Sequence, residues 1–282
     1  MEEFSYEQAF QSNIGLLTKG EQSKLRDFTI AIPGIGGVGG YHLISLVRQG
    51  FERFKLSDFD SFEIKNFNRQ YGADLTTIDR EKTLVMQEKA LQINPCCSFE
   101  IFDKLSDRNL ESFLQDSNLV IDSLDAFEVE VRRNLINGSV EREIPIISAA
   151  PIGFGSVYLI FLPKGPNFDE YFGVNPDNSY NEKLSAFFVG LTPKLIQRAY
   201  VEFSDLKNKK GPSSVAGVEL CAGVATTEAI KILLDKGDVK AVPYYHQFDA
   251  MQNKYVCKKL RFGNKGPFQR IKRRILRNML ED

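Results

Sequence analysis

Tryptophan is absent from the 282 residues, and histidine occurs only as His42 and His246. Two imidazoles leave little material for a histidine-based metal site or catalytic triad. Cysteine is nearly as scarce. Cys96, Cys97, Cys221 and Cys257 form no C-x-x-C pair, so a disulfide framework and structural zinc are not expected, and a reducing compartment is. Charge of one sign is also missing: 36 Lys and Arg face 37 Asp and Glu, a net charge of −1. Nothing in that balance draws the whole chain to nucleic acid, and DNA is not an expected partner. No apolar run reaches the roughly 18 residues of a membrane span. The opening MEEFSYEQAF lacks the apolar centre of a secretory signal, so the expected location is the cytoplasm. What is present is ordinary: 43% hydrophobic and 26% charged residues, with phenylalanine (22 residues) supplying most of the aromatic core.

From Phe28 to Ala150, short apolar runs alternate with helical periodicity. Strands are expected at Phe28–Pro33, Arg53–Asp58, Ser98–Phe102, Asn118–Asp122 and Ile144–Ala149. Helices are expected at Val38–Arg48, Arg80–Ile93, Asp107–Leu114 and Phe127–Glu141. Such alternation predicts a doubly wound α/β fold with a mainly parallel sheet, whose ligands sit beyond the carboxyl ends of the strands. A strand at Gly155–Leu162 leads into a Gly-, Pro-, Asn- and Asp-rich loop at Pro163–Tyr180. A long helix at Val215–Leu234 and a late strand pair, Tyr244–Phe248 and Lys254–Leu260, add an antiparallel C-terminal portion. No linker separates these parts. The expectation is one domain over 1–262, its nucleotide-binding half at about 27–150 and its substrate-side half at about 151–262. A basic helix over 263–282 follows it.

AIPGIGGVGG sets Gly34, Gly36 and Gly39 in G-x-G-x-x-G spacing between a strand and a helix. The first permits a tight turn, the second lets a phosphate approach the backbone, and the third lets helix pack on strand. Asp58, ending the second strand, can accept hydrogen bonds from ribose hydroxyls. To this point NAD, FAD, S-adenosylmethionine and ATP all remain open. Asn66, Asn68, Arg69 and Gln70 then place donors side by side, and Lys82, near the start of the next helix, can add a mobile point charge to the same phosphates. That density suits a triphosphate and the charge that develops on departing pyrophosphate. At the end of the fourth strand stand Asp122 and Asp125. A carboxylate there suits Mg²⁺ held jointly with phosphate oxygens. Asp122 can instead cap the following turn, so Asp125 is the preferred ligand.

Together these residues resemble the ubiquitin-activating-enzyme-like superfamily, the ThiF/MoeB/HesA adenylyltransferases. The resemblance is carried by G-x-G-G-x-G at Gly34–Gly39, D-x-D at Asp58–Asp60 and N-x-N-R-Q at Asn66–Gln70. Lys82, INP at Ile93–Pro95 and D-x-x-D at Asp122–Asp125 complete it. It runs from about Tyr6 to Arg261. EYFGV, FFVGLTPKLIQRAY, ELCAGVATTEAIKILL and YHQFDA look like a stand-alone bacterial subgroup. The resemblance implies a homodimer that converts a carboxylate and MgATP to an acyl-adenylate and pyrophosphate. The substrate would be the C-terminus of a ubiquitin-like or sulfur-carrier protein, or a peptide. By the same resemblance Gly37 lies against the nucleotide, and Asp58 holds the ribose. Asn66, Asn68, Arg69 and Lys82 hold the phosphates, with Arg69, Lys82 and Asp125 as the catalytic set. A tRNA-modifying dehydratase belongs to the superfamily, but near-neutral charge gives tRNA little support.

Two departures stand out. Where many relatives carry an arginine donated across the dimer, this chain has Ser12, and Arg26 is a substitute to consider. The loop Pro163–Tyr180 holds no cysteine for a thioester, while Cys221 sits in a helix that reads as core. A catalytically reduced partner subunit is therefore an alternative, and an NAD-binding oxidoreductase a weaker one that leaves Asn66–Gln70 unexplained. In the tail, Phe268, Ile271, Ile275 and Met279 share one helical face among Arg270, Lys272, Arg273, Arg274 and Arg277. Docking of that face on its own domain or on a dimer partner is expected ahead of membrane contact.

Overall fold

The structure, a computed structural model, describes residues 3–202 and 211–281. Met1 and Glu2 of the acidic N-terminal stretch, and Asp282 of the basic tail, lie outside them. The chain divides into two compact units, residues 1–123 with 222–238 and residues 124–221 with 239–282.

The first unit is built on β1 (Thr29–Pro33), β2 (Arg53–Ser57), β3 (Ser98–Phe102) and β4 (Leu119–Asp122). All pairings among them are parallel, in the order β3-β2-β1-β4. β1 and β4 are buried almost throughout, as strands covered on both faces must be, which is why each reads as a continuous apolar run. The helices α1 (Tyr6–Ala9) and α2 (Lys19–Lys24) precede β1, while α3 (Gly37–Gln49), α4 (Lys82–Leu91) and α5 (Leu110–Leu114) follow β1, β2 and β3 in turn. Chain order reverses across β1: β2 and β3 lie on one side and β4 on the other. Such a switch point opens a crevice at the carboxyl ends of β1 and β4.

The second unit holds an antiparallel run of β5 (Ile146–Ile152), β6 (Gly155–Phe161), β7 (Tyr244–Asp249) and β8 (Lys254–Lys259). Its helices are α6 (Val129–Glu141), α7 (Phe168–Phe172), α8 (Tyr180–Leu191) and α10 (Pro267–Glu281). The helix α9 (Val215–Leu233) is divided between the units after Cys221. Phe161, Phe168, Tyr171, Phe172 and Phe187 pack ring against ring in the core as expected, whereas Phe59, Phe67, Phe154, Phe262 and Phe268 are exposed. The fold is thus the anticipated α/β, Rossmann-like arrangement with an antiparallel C-terminal portion.

Two local expectations need correction. The loop Pro163–Tyr180 is not structureless. Asn167 and Glu170 form a capping box that starts α7, and Gly173, at φ +67°, ends it. At its far end Ser179 and Glu182 form a second capping box for α8, a helix the periodicity did not reveal because its later residues are apolar on every side.

Candidate functional site

β1 ends at Pro33, whose missing N–H costs nothing at the last rung of the ladder. Gly34 then turns the chain at φ +84° and donates its N–H to the Ser57 carbonyl (2.7 Å). A Cβ on Gly39 would lie 1.8 Å from the Gly34 carbonyl oxygen and 3.2 Å from Ser123 Cβ. Only glycine allows the start of α3 to sit this close to the strand end. Gly36 is the N-cap of α3 and has no side chain to cap it. The first-turn N–H groups therefore face outward at the positive end of the helix dipole, the arrangement that receives phosphate oxygens.

Asp58 is tied to this turn. One carboxylate oxygen accepts the Ile35 N–H at 2.6 Å and the other the Asp60 N–H at 2.9 Å. Each oxygen keeps a second lone pair for a ribose hydroxyl.

The connection from β2 to α4 brings the predicted donors to the same place. Asn66 is buried at the end of a single 3₁₀ turn, and its Oδ1 accepts the Glu63 N–H at 3.0 Å, leaving the amide N–H₂ group for other partners. Arg69 runs along the glycine turn: a Cβ on Gly37 would stand 3.5 Å from its carbonyl oxygen and 3.6 Å from its Cγ. Its guanidinium donates to Asn68 Oδ1 (2.9 Å) and to the Lys65 carbonyl (3.1 Å). Gln70 lies next to Gly36, with Nε2 at 3.7 Å from the corresponding position. Its Oε1 is buried with no hydrogen-bond partner among the described residues. A buried acceptor without a donor costs free energy, and a ligand donor at this point would remove that cost.

Lys82 corrects an expectation. Expected as a mobile point charge, its side chain is instead buried, with Nζ paired with Asp60 at 2.9 Å. Its backbone N–H also donates to the Asp60 carbonyl (3.0 Å). Asp60 thus holds both ends of Lys82 at the first residue of α4. The D-x-D spacing does not disclose this role, since nothing at a separation of 22 residues marks two side chains as partners.

The first unit therefore gathers Gly34, Gly36, Gly37, Gly39, Asp58, Arg69 and Gln70, with Asn66, Asn68 and Lys82 in the same connection. Asp122 is buried at the end of β4. Asp125 is exposed and belongs to the second unit, where its Oδ1 accepts the Phe127 N–H (2.9 Å) and its carbonyl accepts from Arg132 (3.1 Å). A cleft of about 550 Å³ in the second unit, lined by Lys164, Glu170, Arg261 and Phe262 among others, contains none of the predicted residues.

The remaining candidates are otherwise engaged. Arg26 donates to Glu52 at 3.0 Å and lies over the Tyr6 ring, and Ser12 is exposed. Cys221 is buried, as its reading as core implied. Burial, reinforced by Glu52, pushes the Cys97 thiol up to about 12, far from a thiolate nucleophile. His42 is wholly buried in α3 without a hydrogen bond to either ring nitrogen among the described residues, and burial lowers it to about 3. It is a neutral packing residue.

A parallel sheet with a glycine turn at its switch point, an acidic residue ending the second strand and a cationic connection beside the turn defines a Rossmann-like nucleotide-binding protein. The profile of the ThiF family matches residues 10–267, and the chain belongs to that family. It is 34% identical over 151 residues to the tRNA threonylcarbamoyladenosine dehydratase of Haemophilus influenzae, covering 53% of this chain and 57% of that protein. To the sulfur carrier protein ThiS adenylyltransferase of Escherichia coli it is 28% identical over 143 residues, 50% of this chain and 56% of that protein. The chain thus matches about half the length of these relatives. Among solved structures, E. coli MccB with ATP superposes with a TM-score of 0.66 at 16% identity, covering 88% of this chain and 69% of that one. That likeness concerns the fold.

Proposed function

We propose that the chain is an ATP- and Mg²⁺-dependent adenylyltransferase that converts a carboxylate to its acyl-adenylate with release of pyrophosphate. The observation that carries this reading is the packing of Arg69 against Gly37 at the bare N-terminus of α3, with Asp58 tied to the same turn. A dinucleotide enzyme uses the turn and the acid but has no need of a guanidinium there. In this reading Asp58 takes the ribose, and the first-turn N–H groups receive phosphate oxygens. Asn66, Asn68 and Arg69 share the triphosphate with Lys82, which exchanges its bond to Asp60 for one to phosphate. A carboxylate oxygen attacks the α-phosphorus in line. The bond to the bridging oxygen breaks, and its electron pair leaves on pyrophosphate. The attacking group is already an anion, so positioning and charge neutralisation suffice without a general base. Asp125, with Asp122 before it, offers carboxylates suited to Mg²⁺, which would neutralise phosphate charge.

The carboxylate we favour is the C-terminus of a small carrier protein or a peptide. The relative named as an adenylyltransferase of the sulfur carrier protein ThiS supports that class. The identity to the tRNA-modifying dehydratases favours a second substrate, a carboxylate on a modified tRNA nucleoside. A homodimer fits the exposed Phe59, Ile64, Leu75 and Leu84 in and beside the β2–α4 connection, an apolar surface around the donor cluster. The cytoplasm is the expected location.

An ATP–pyrophosphate exchange screen tests the proposal, run with small proteins ending in Gly-Gly, with peptides and with modified tRNA. Mg²⁺-dependent exchange with one class, lowered by Asp125→Ala, is expected. ATP binding with no exchange for any substrate would favour a catalytically reduced partner subunit.

A further inference from the structure

The helix α10 lies on its unit the opposite way round from the sequence expectation. Its inner side, against α8 and its surroundings, combines the half-buried Leu276 and Leu280 with several polar groups. Arg273 donates to the Phe172 and Gly173 carbonyls at 3.2 Å, satisfying acceptors at the end of α7. Lys272 donates to the Pro193 carbonyl at 2.7 Å, Arg277 reaches Glu182 at 3.1 Å, and Gln269 is buried. The apolar stripe faces away: Phe268 is 78% exposed, Ile271 59%, Ile275 54% and Met279 50%. Arg270 and Arg274 are exposed on the same outer side. At 1.5 Å per residue this stripe is about 17 Å long. Phe262, just before the helix, is also exposed.

The charge around the stripe is one-sided. Between Ala250 and Leu280 stand ten Lys and Arg and no Asp or Glu, in a chain whose net charge is −1. A second copy docking stripe to stripe would bring two such segments together, and like charges across an interface oppose association. RNA would engage the arginines but leave two isoleucines and a methionine in water. An anionic bilayer answers both features: the apolar side chains enter the acyl boundary while Arg270 and Arg274 meet lipid phosphates. No described helix is long and apolar enough to cross a membrane, so the contact is peripheral.

We propose that the outer face of α10 is a docking surface for an anionic membrane. The inference stands apart from the adenylation reading. It is tested by co-sedimenting the full chain with phosphatidylcholine vesicles, with and without phosphatidylglycerol. Binding should rise about tenfold or more with the anionic lipid and fall with added salt. Ile271→Ser with Ile275→Ser should abolish it. Arg270→Gln with Arg274→Gln should weaken it by about fivefold per arginine. Both pairs are exposed, so thermal melting should be nearly unchanged. Absence of binding to anionic vesicles, or binding indifferent to both pairs, would overturn the proposal. So would an Ile-pair variant that turns a dimer into a monomer, or RNA binding lost in the Arg pair, where the wild type ignores vesicles.

Discussion

The β1–α3 turn and the β2–α4 connection stand side by side in the first unit, yet they are built on opposite plans. The turn acts through main chain: Gly34 sets its direction, Gly39 its closeness, and bare N–H groups its chemistry. The connection acts through side chains, and most of its polar groups already have partners. Asn66 caps its own turn, Arg69 holds Asn68, and Lys82 holds Asp60. A main-chain site is lost by adding atoms, whereas a side-chain site is lost by removing them.

The largest effect on stability expected from this contrast is at Gly39. Gly39→Ala sets a Cβ against the Gly34 carbonyl and should cost more than about 4 kcal/mol in urea unfolding, or prevent folding. A loss under about 1 kcal/mol would mean that the turn relaxes easily. Next comes Arg69→Ala, expected to lower pyrophosphate exchange by about 10²- to 10³-fold while the folded state persists. Equal exchange in the variant would remove Arg69 from the phosphate site.

His42 gives a pH test of how tightly α3 is packed. Its folded value of about 3 lies below the ordinary value of 6.5, because burial disfavours the charged ring. The unfolded chain therefore takes up a proton that the folded one refuses. This stability is fully present above pH 6.5 and is lost as pH falls towards 3, at about 1.4 kcal/mol per pH unit. His42→Leu should flatten that part of the acid limb, and an unchanged slope would assign it to other groups.

Asp60→Asn comes lower in the series, at about 1 kcal/mol, because Asp60 is half-exposed while Lys82 is buried. If the variant instead strengthens ATP binding, Asp60 competes with phosphate for Lys82. The smallest change in stability is expected for Gly37→Ala, within about 0.5 kcal/mol, since its Cβ meets only ordinary contacts. Nucleotide binding should nevertheless fall, because a methyl group would stand where phosphate approaches.

The parallel strands were legible because burial on both faces leaves continuous apolar runs between turn residues. β3 coincides with its expected range, and β1 and β2 differ by one residue at an end. α5 begins at Leu110 instead of Asp107, its N-cap being Asn109. α8 was hidden because LSAFFVGL has no polar face from which to read a period. The donor cluster was legible as residue types in order, but its pairings were not. Lys82 meets Asp60 through the fold, and Arg69 meets Gly37 only once β1 and β2 lie side by side. Periodicity likewise revealed a stripe on α10 but not which way it faces. That was decided by Lys272, Arg273 and Arg277, whose charged ends reach carbonyls and a carboxylate on the inner side.

Calorimetric titration of the full chain with MgATP and, separately, with NAD bears most directly on the nature of the site. Saturable MgATP binding that Arg69→Ala weakens is expected, with no comparable binding of NAD. NAD binding that is indifferent to Arg69, with no MgATP binding at millimolar nucleotide, would contradict the proposed ATP site.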